Sequence, residues 1–119
     1  MIDLDLTDEQ RVLEQSVREW GTREMAPRIH ELDRAHRFDP DILPQMDSLG
    51  LLGICIPSEY GGAGMDYVSL GIASEELEYV DTSLRVIMSV HVGLNSLTLL
   101  AWGTEDQRTR YLAPQAQGK

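Results

Sequence analysis

The sequence predicts an all-α fold, a compact antiparallel bundle of about five helices forming one domain over residues 1–119. Three observations carry this. Apolar residues recur at helical spacing in successive stretches, with charged residues between them. Start signals precede those stretches: Thr7 with Gln10, Asp39-Pro40, Asp66, and Thr104 with Gln107. The connections between them are short, as in antiparallel helical assemblies.

The first helix is predicted over about Asp8 to Met25, opened by the Thr7/Gln10 capping box. Leu13, Val17 and Trp20 line its apolar face, Pro27 interrupts it or begins a new piece, and Ile29 and Leu32 extend the stripe. A second helix starts at Asp39-Pro40, with the aspartate as cap and proline in the first helical position. Ile42, Leu43, Met46 and Leu49 form its apolar face, Pro44 is tolerated early, and Gly50 stops it. The run Leu51 to Pro57 is short, apolar and partly β-branched, which predicts an extended, buried segment. The glycines of Pro57 to Gly64 predict backbone at positive φ or in tight contact, a structural turn. A phosphate cradle there would need a preceding strand and a Lys-Ser/Thr or GxGxxG pattern, and neither is present.

Asp66 caps a third helix over about Tyr67 to Val80, with Val68, Ile72, Leu77 and Val80 near one face and Glu75, Glu76 and Glu78 solvated. Asp81-Thr82-Ser83 breaks and recaps the chain. From about Leu84 to Trp102 runs a helix whose segment Val86 to Trp102 has no formal charge. Ser89, His91, Asn95, Ser96 and Thr98 are costly in lipid, so this reads as a helix buried all round inside a soluble bundle, with no membrane span. Gly103 ends it. The Thr104/Gln107 box opens a last helix that buries Tyr111 and Leu112.

Composition narrows the function. A formal charge of −10 argues against nucleic acid and anionic membrane as partners. The single cysteine, Cys55, permits no intrachain disulfide and no structural zinc site. With no apolar run after a basic start, no targeting signal is read and a cytoplasmic location is expected. No metal-ligand spacing occurs, and His30, His36 and His91 pair with no nucleophile motif. Cys55 lies in an apolar run, where a thiol is inert.

The helix after Asp81 is the informative element. Arg85 and Ser89 are four apart and share a face, Gly93 lies one turn further, and Ser96 falls near the same line. A cation, two hydroxyls and a flat spot would suit one side of a ligand slot, with His91, Asn95 and Thr98 as a second polar stripe. Spacing alone favours the alternative: Arg85 pairs with an acidic residue of a neighbouring helix, and the hydroxyls bond back to the backbone.

One long motif series goes further. Gly50-Leu51-Leu52-Gly53-Ile54, then Pro57-Ser58-Glu59-Tyr60-Gly61-Gly62-Ala63-Gly64-Met65-Asp66-Tyr67, then Glu75-Glu76-Leu77, Asp81-Thr82-Ser83, Gly103-Thr104-Glu105-Asp106-Gln107-Arg108 and Tyr111-Leu112-Ala113-Pro114 follow in order. This series resembles the N-terminal helical domain of acyl-CoA dehydrogenases across nearly the whole chain. The resemblance implies FAD as cofactor, oxidation of an acyl-CoA to its 2,3-enoyl-CoA, and electron-transfer flavoprotein as acceptor. It also implies a homo-oligomer, commonly a tetramer, and a domain that lines the acyl pocket, with Arg85, Ser89 and Leu94 as substrate-binding positions. The family's flavin-holding middle domain and the C-terminal domain that carries the catalytic glutamate lie outside this pattern. A fragment inactive alone is therefore expected, with no catalytic residue and no metal among residues 1–119. The segment Asp81 to Val90 is similar to that of glutaryl-CoA dehydrogenases, which implies a carboxylate-binding role for Arg85 and Ser89. An acyl-CoA oxidase or flavin monooxygenase of the same fold, and a stand-alone helical interaction module, remain alternatives.

Overall fold

The computed structural model describes residues 1–119, and it contains five helical rods and no strand. Helix α1 occupies residues 8–34, from the consecutive stretches Asp8–Trp20, Gly21–Met25 and Ala26–Arg34. The capping box forms: the Gln10 N–H donates to Thr7 Oγ1 at 3.2 Å, and the Thr7 N–H donates to Gln10 Oε1 at 3.0 Å. Pro27 does not interrupt the rod. Over Gly21–Met25 the helix widens to a π turn, in which the Ala26 N–H reaches Gly21 O, five residues back. The last rod, α5 (residues 105–116), does the same: Arg108–Leu112 is a π turn, followed by Ala113-Pro114. An Ala-Pro pair thus follows a widened turn twice. The widening relieves the clash a proline ring makes with the carbonyl four residues back, and so lets the helix continue.

Helix α2 is Ile42–Ser48, two residues later than its predicted start. Asp39 caps a turn instead of the helix, accepting the Asp41 N–H at 3.0 Å and pairing with Arg28. Gly50, at φ 75°, ends α2 as predicted, because that left-handed conformation favours glycine. The segment from Leu51 is buried but not extended. Leu51–Gly53 is a turn of 3₁₀ helix, and Ile54 is helical at φ −52°, ψ −47°. An extended run needs a sheet partner for its backbone, and this chain has none. Compact turns satisfy it internally: Ala63 N–H to Gly53 O and Met65 N–H to Ile54 O, each 2.9 Å.

Helix α3, Tyr67–Val80, starts where Asp66 accepts the Ser69 N–H at 2.8 Å. It packs on α1 and on the helix that follows it, Thr82–Trp102. Its buried face is Ser69, Ala73, Glu76 and Leu77, while Val68 points to solvent, against expectation. Glu76 is also a correction: only 8% exposed, it takes Arg18 of α1 in a two-pronged pair, Nη2 to Oε1 at 2.6 Å and Nε to Oε2 at 3.1 Å. The fork geometry makes burying that carboxylate tolerable.

Helix α4 is Thr82–Trp102, 21 residues. It is long and apolar enough to cross a membrane, yet only one stripe of it is buried: Leu84, Met88, Val92 and Ser96. The expectation of a helix buried all round fails. The molecule is a slab, 43 × 40 × 19 Å, so its short dimension holds about two helix diameters of roughly 10–12 Å. In two layers every helix keeps an outer face. That of α4 carries Val86, Val90, Leu94 and Trp102, exposed by 40%, 42%, 66% and 86%. Tyr111 likewise stays half exposed on α5, while Leu112 and Ala116 pack against Ile56 in a small satellite core.

Candidate functional site

The corner between α3 and α4 is one residue, Asp81, whose extended backbone (φ −165°, ψ 132°) turns the chain between two helices. Its carboxylate accepts the Ser83 N–H at 3.0 Å and so caps α4. Because the corner is that tight, Glu78 at the end of α3 lies within reach of Arg85 on the first turn of α4. Arg85 Nε donates to Glu78 Oε2 at 2.7 Å, and Thr82 Oγ1 donates to Glu78 Oε1 at 2.8 Å. The Arg85 and Thr82 hydrogen bonds hold the Glu78 carboxyl below the usual carboxylate range.

Arg85 and Ser89 do meet. Arg85 Nη1 donates to Ser89 Oγ at 3.3 Å, and the Ser89 hydroxyl donates back to Arg85 O at 2.7 Å. The second of the readings from the sequence is the one realised within the chain: the cation has an acidic neighbour and the hydroxyl bonds backward, while the two share a half-buried face. Arg85 Nη2 makes no hydrogen bond within the chain. Glu78 was legible only as a generic acidic partner, because a fold-back at Asp81 has no periodic signature.

The file continues to Gly93 but not to Ser96. Ser96 is buried and donates to Gln115 Oε1 of α5 at 3.2 Å. His91 leaves the second stripe for the same helix, with Nε2 2.7 Å from Gln115 O, whereas Asn95 and Thr98 are exposed. A widened turn sets this division. Over Ser89–Ser96 the helix is π, with the Leu97 N–H on Val92 O. In a regular α-helix, three steps of four residues drift by about 120° around the axis. Leu84, Met88, Val92 and Ser96 nonetheless all stay buried, because a π turn advances less per residue and cancels the drift. One register outward, the same correction keeps Arg85, Ser89 and Gly93 in a straight file, and beyond them Val86, Val90 and Leu94.

These residues stand on an open face. The clefts of about 290 Å³ beside His36 and Arg37, and of about 520 Å³ beside Arg18 and Glu75, do not include Arg85, Ser89 or Leu94. Elsewhere no nucleophile–base grouping forms. The Cys55 thiol is buried and pushed up by desolvation, and His30 and His36 are exposed. His36, at φ 50°, simply ends α1, its N–H on Asp33 O at 3.1 Å. The glycine-rich loop is filled by the chain itself, not shaped as an anion cradle. A Cβ on Gly62 would overlap the Ile56 carbonyl, and one on Gly53 the Ala116 carbonyl.

Comparison with known proteins agrees with this architecture. The family model described as "Acyl-CoA dehydrogenase, N-terminal domain" matches residues 7–119. Among curated proteins, the chain is 40% identical over 118 residues to the short-chain specific acyl-CoA dehydrogenase of Clostridium acetobutylicum, covering 99% of this chain and 31% of that one. Among solved structures, it superposes on butyryl-CoA dehydrogenase from Megasphaera elsdenii with a TM-score of 0.93 at 30% identity, covering 98% of this chain and 31% of that one. A chain from the structure titled as the electron transferring flavoprotein of Acidaminococcus fermentans gives the same TM-score at 38% identity, with the same coverage. The chain thus spans about a third of the length of the curated relatives it matches.

Proposed function

The chain belongs to the acyl-CoA dehydrogenase family, as its N-terminal domain, and on that premise we propose that the protein carrying it oxidises short-chain acyl-CoA thioesters to 2,3-enoyl-CoAs with FAD. In this reading, residues 1–119 are one wall of the acyl pocket. The single observation that carries it is the outer face of α4, where a straight apolar row of Val86, Val90 and Leu94 runs beside the Arg85–Ser89–Gly93 file. Such a surface is costly to leave in water and is suited to an acyl chain and to the rest of the pocket.

Residues 1–119 do not fit a flavin. Their one glycine-rich loop is closed by the chain's own carbonyls, so we assign the flavin, and the base that takes the α proton, to the family's other domains. The contribution of this domain is to exclude water and to orient the acyl group. We further propose electron-transfer flavoprotein as the acceptor and a homo-oligomeric assembly.

The test is direct. The purified gene product containing this chain should hold a flavin and reduce an artificial acceptor on addition of butyryl-CoA. Oxygen uptake in place of acceptor reduction would turn the assignment to an oxidase or monooxygenase. A protein without flavin and without acyl-CoA turnover would leave a helical interaction module.

A second substrate reading rests on one atom. Arg85 Nη2 is free of hydrogen bonds in the chain, so the guanidinium, with Ser89 beside it, can take a distal carboxylate even while Glu78 holds Nε. Arg85→Ala then lowers kcat/KM for glutaryl-CoA by about a hundredfold, the scale of a lost charge-assisted contact, and spares butyryl-CoA. Equal losses on both substrates would remove the dicarboxylyl reading.

A further inference from the structure

Most glycines of this chain have a reason within it. A Cβ on Gly21 would sit 2.7 Å from Val80 Cγ2, those on Gly53 and Gly62 would strike backbone, and Gly50, Gly61, Gly64 and Gly118 have positive φ. Gly93 has no such reason. It lies in the π turn in the middle of α4 without a positive φ, and a Cβ built there would meet nothing within 4 Å. Glycine in a helix interior costs stability relative to alanine, so folding of this chain favours a side chain at that position. Gly71 shares the open surroundings, but it stands on the exposed outer face of α3. Gly93 is half buried, in file with Ser89 and Arg85 and flanked by Val90 and Leu94.

We propose that Gly93 is a specificity residue: its bare backbone forms the floor over which the acyl group of the substrate lies, and its missing side chain sets how bulky that group can be. The proposal rests on the acyl-CoA reading and deepens it. Ser89 lies about one turn along the axis from Gly93, and Arg85 about two. An acyl chain crossing Gly93 therefore runs on between the Ser89–Arg85 file and the apolar row of Leu94, Val90 and Val86. A side chain at 93 projects into that path, and the π turn Ser89–Ser96 keeps it there instead of rotating it aside.

The test uses the complete gene product and the variants Gly93→Ala and Gly93→Leu, assayed with propionyl-, butyryl-, hexanoyl- and isovaleryl-CoA. Losses in kcat/KM should grade with both the side chain at 93 and the acyl group. For Gly93→Leu, hexanoyl- and isovaleryl-CoA should lose about tenfold or more relative to propionyl-CoA, the scale of a steric clash in an apolar pocket. Gly93→Ala should follow the same order with smaller losses, and its Tm should be equal to or above that of the parent. Equal losses on all four thioesters, or a Tm that falls with them, would make Gly93 a packing residue and overturn the assignment while wild-type turnover stands. No acyl-CoA turnover by the wild-type protein would overturn the dehydrogenase reading itself, and this proposal with it.

Discussion

The loop from Gly50 to Gly64 and the outer face of α4 use the same residue type in opposite surroundings. At Gly53 and Gly62 the backbone is so closely packed that a single added carbon would overlap a carbonyl oxygen. At Gly93, and at Gly71 on α3, the same carbon would meet empty space. The first region is finished: its backbone bonds close internally, and its apolar residues, Leu51, Leu52, Ile54 and Ile56, are buried. The second is unfinished as it stands, with Leu94 and Trp102 largely exposed. A filled region tolerates no addition because its neighbours are fixed backbone. An open one takes an added carbon without displacing anything.

The largest expected break in this comparison is Gly62→Ala. The new Cβ would lie 2.6 Å from the Ile56 carbonyl carbon, which cannot rotate away, so a loss of about 3 kcal/mol or more is expected in urea unfolding, at the upper end for overpacking. Its counterpart Gly71→Ala should instead gain about 0.5–1 kcal/mol by helix propensity and reduced unfolded-state entropy. If both variants lose stability alike, the two kinds of glycine are not distinct.

A similar contrast runs across α4 alone. Met88 is fully buried in the main core, whereas Val90, two residues on, is 42% exposed. Met88→Ala should cost about 2–5 kcal/mol, and Val90→Ala about 0.5 kcal/mol or less. Comparable costs in thermal melts would mean that the outer face of α4 is also packed, and the slab description would fall.

The smallest effect is electrostatic, at the start of α3. The Ser69 N–H, then the Ser69 hydroxyl, then the Gln10 amide bond the Asp66 carboxylate and lower its pKa. A carboxyl depressed by folding contributes stability that is present above its unfolded pKa and is lost as pH falls through its folded value. Asp66→Asn keeps a capping side chain but loses the charge. The variant should therefore melt below the parent at neutral pH, and the gap should close in acid below the usual carboxylate range. A gap that persists there would assign the difference to geometry instead of charge.

Much of this was legible beforehand. Both capping boxes, the Asp66 cap, the Gly50 stop and the turn-forming glycines depend on residues within four positions of one another, and all formed. The adjacency of Arg85 and Ser89 is equally local, and it formed too. Most of what failed was nonlocal, although the Asp39-Pro40 start also slipped, with Asp39 pairing with Arg28 instead of capping the helix. Glu76 was expected in solvent until Arg18 was brought to it from 58 residues away. The Leu51–Pro57 segment was expected to be extended because its β-branched composition suits strands, yet no partner strand exists to bond it. Ser96 left the polar file of α4 because Gln115 of α5 met it on the buried side.

The sequence by itself thus determined most helix starts and stops, the family signature, and which polar side chains are neighbours along α4. Those properties follow from short-range hydrogen bonding and helical periodicity, which need no knowledge of the rest of the fold. The tertiary structure alone decided which faces are covered. A segment without formal charge reads the same whether it is surrounded or lies in the outer layer of a two-layer slab 19 Å thick. Only the packing of α3, α5 and the Leu51–Gly53 turn against it shows that α4 keeps one face open, with Arg85, Ser89, Gly93 and Leu94 along it.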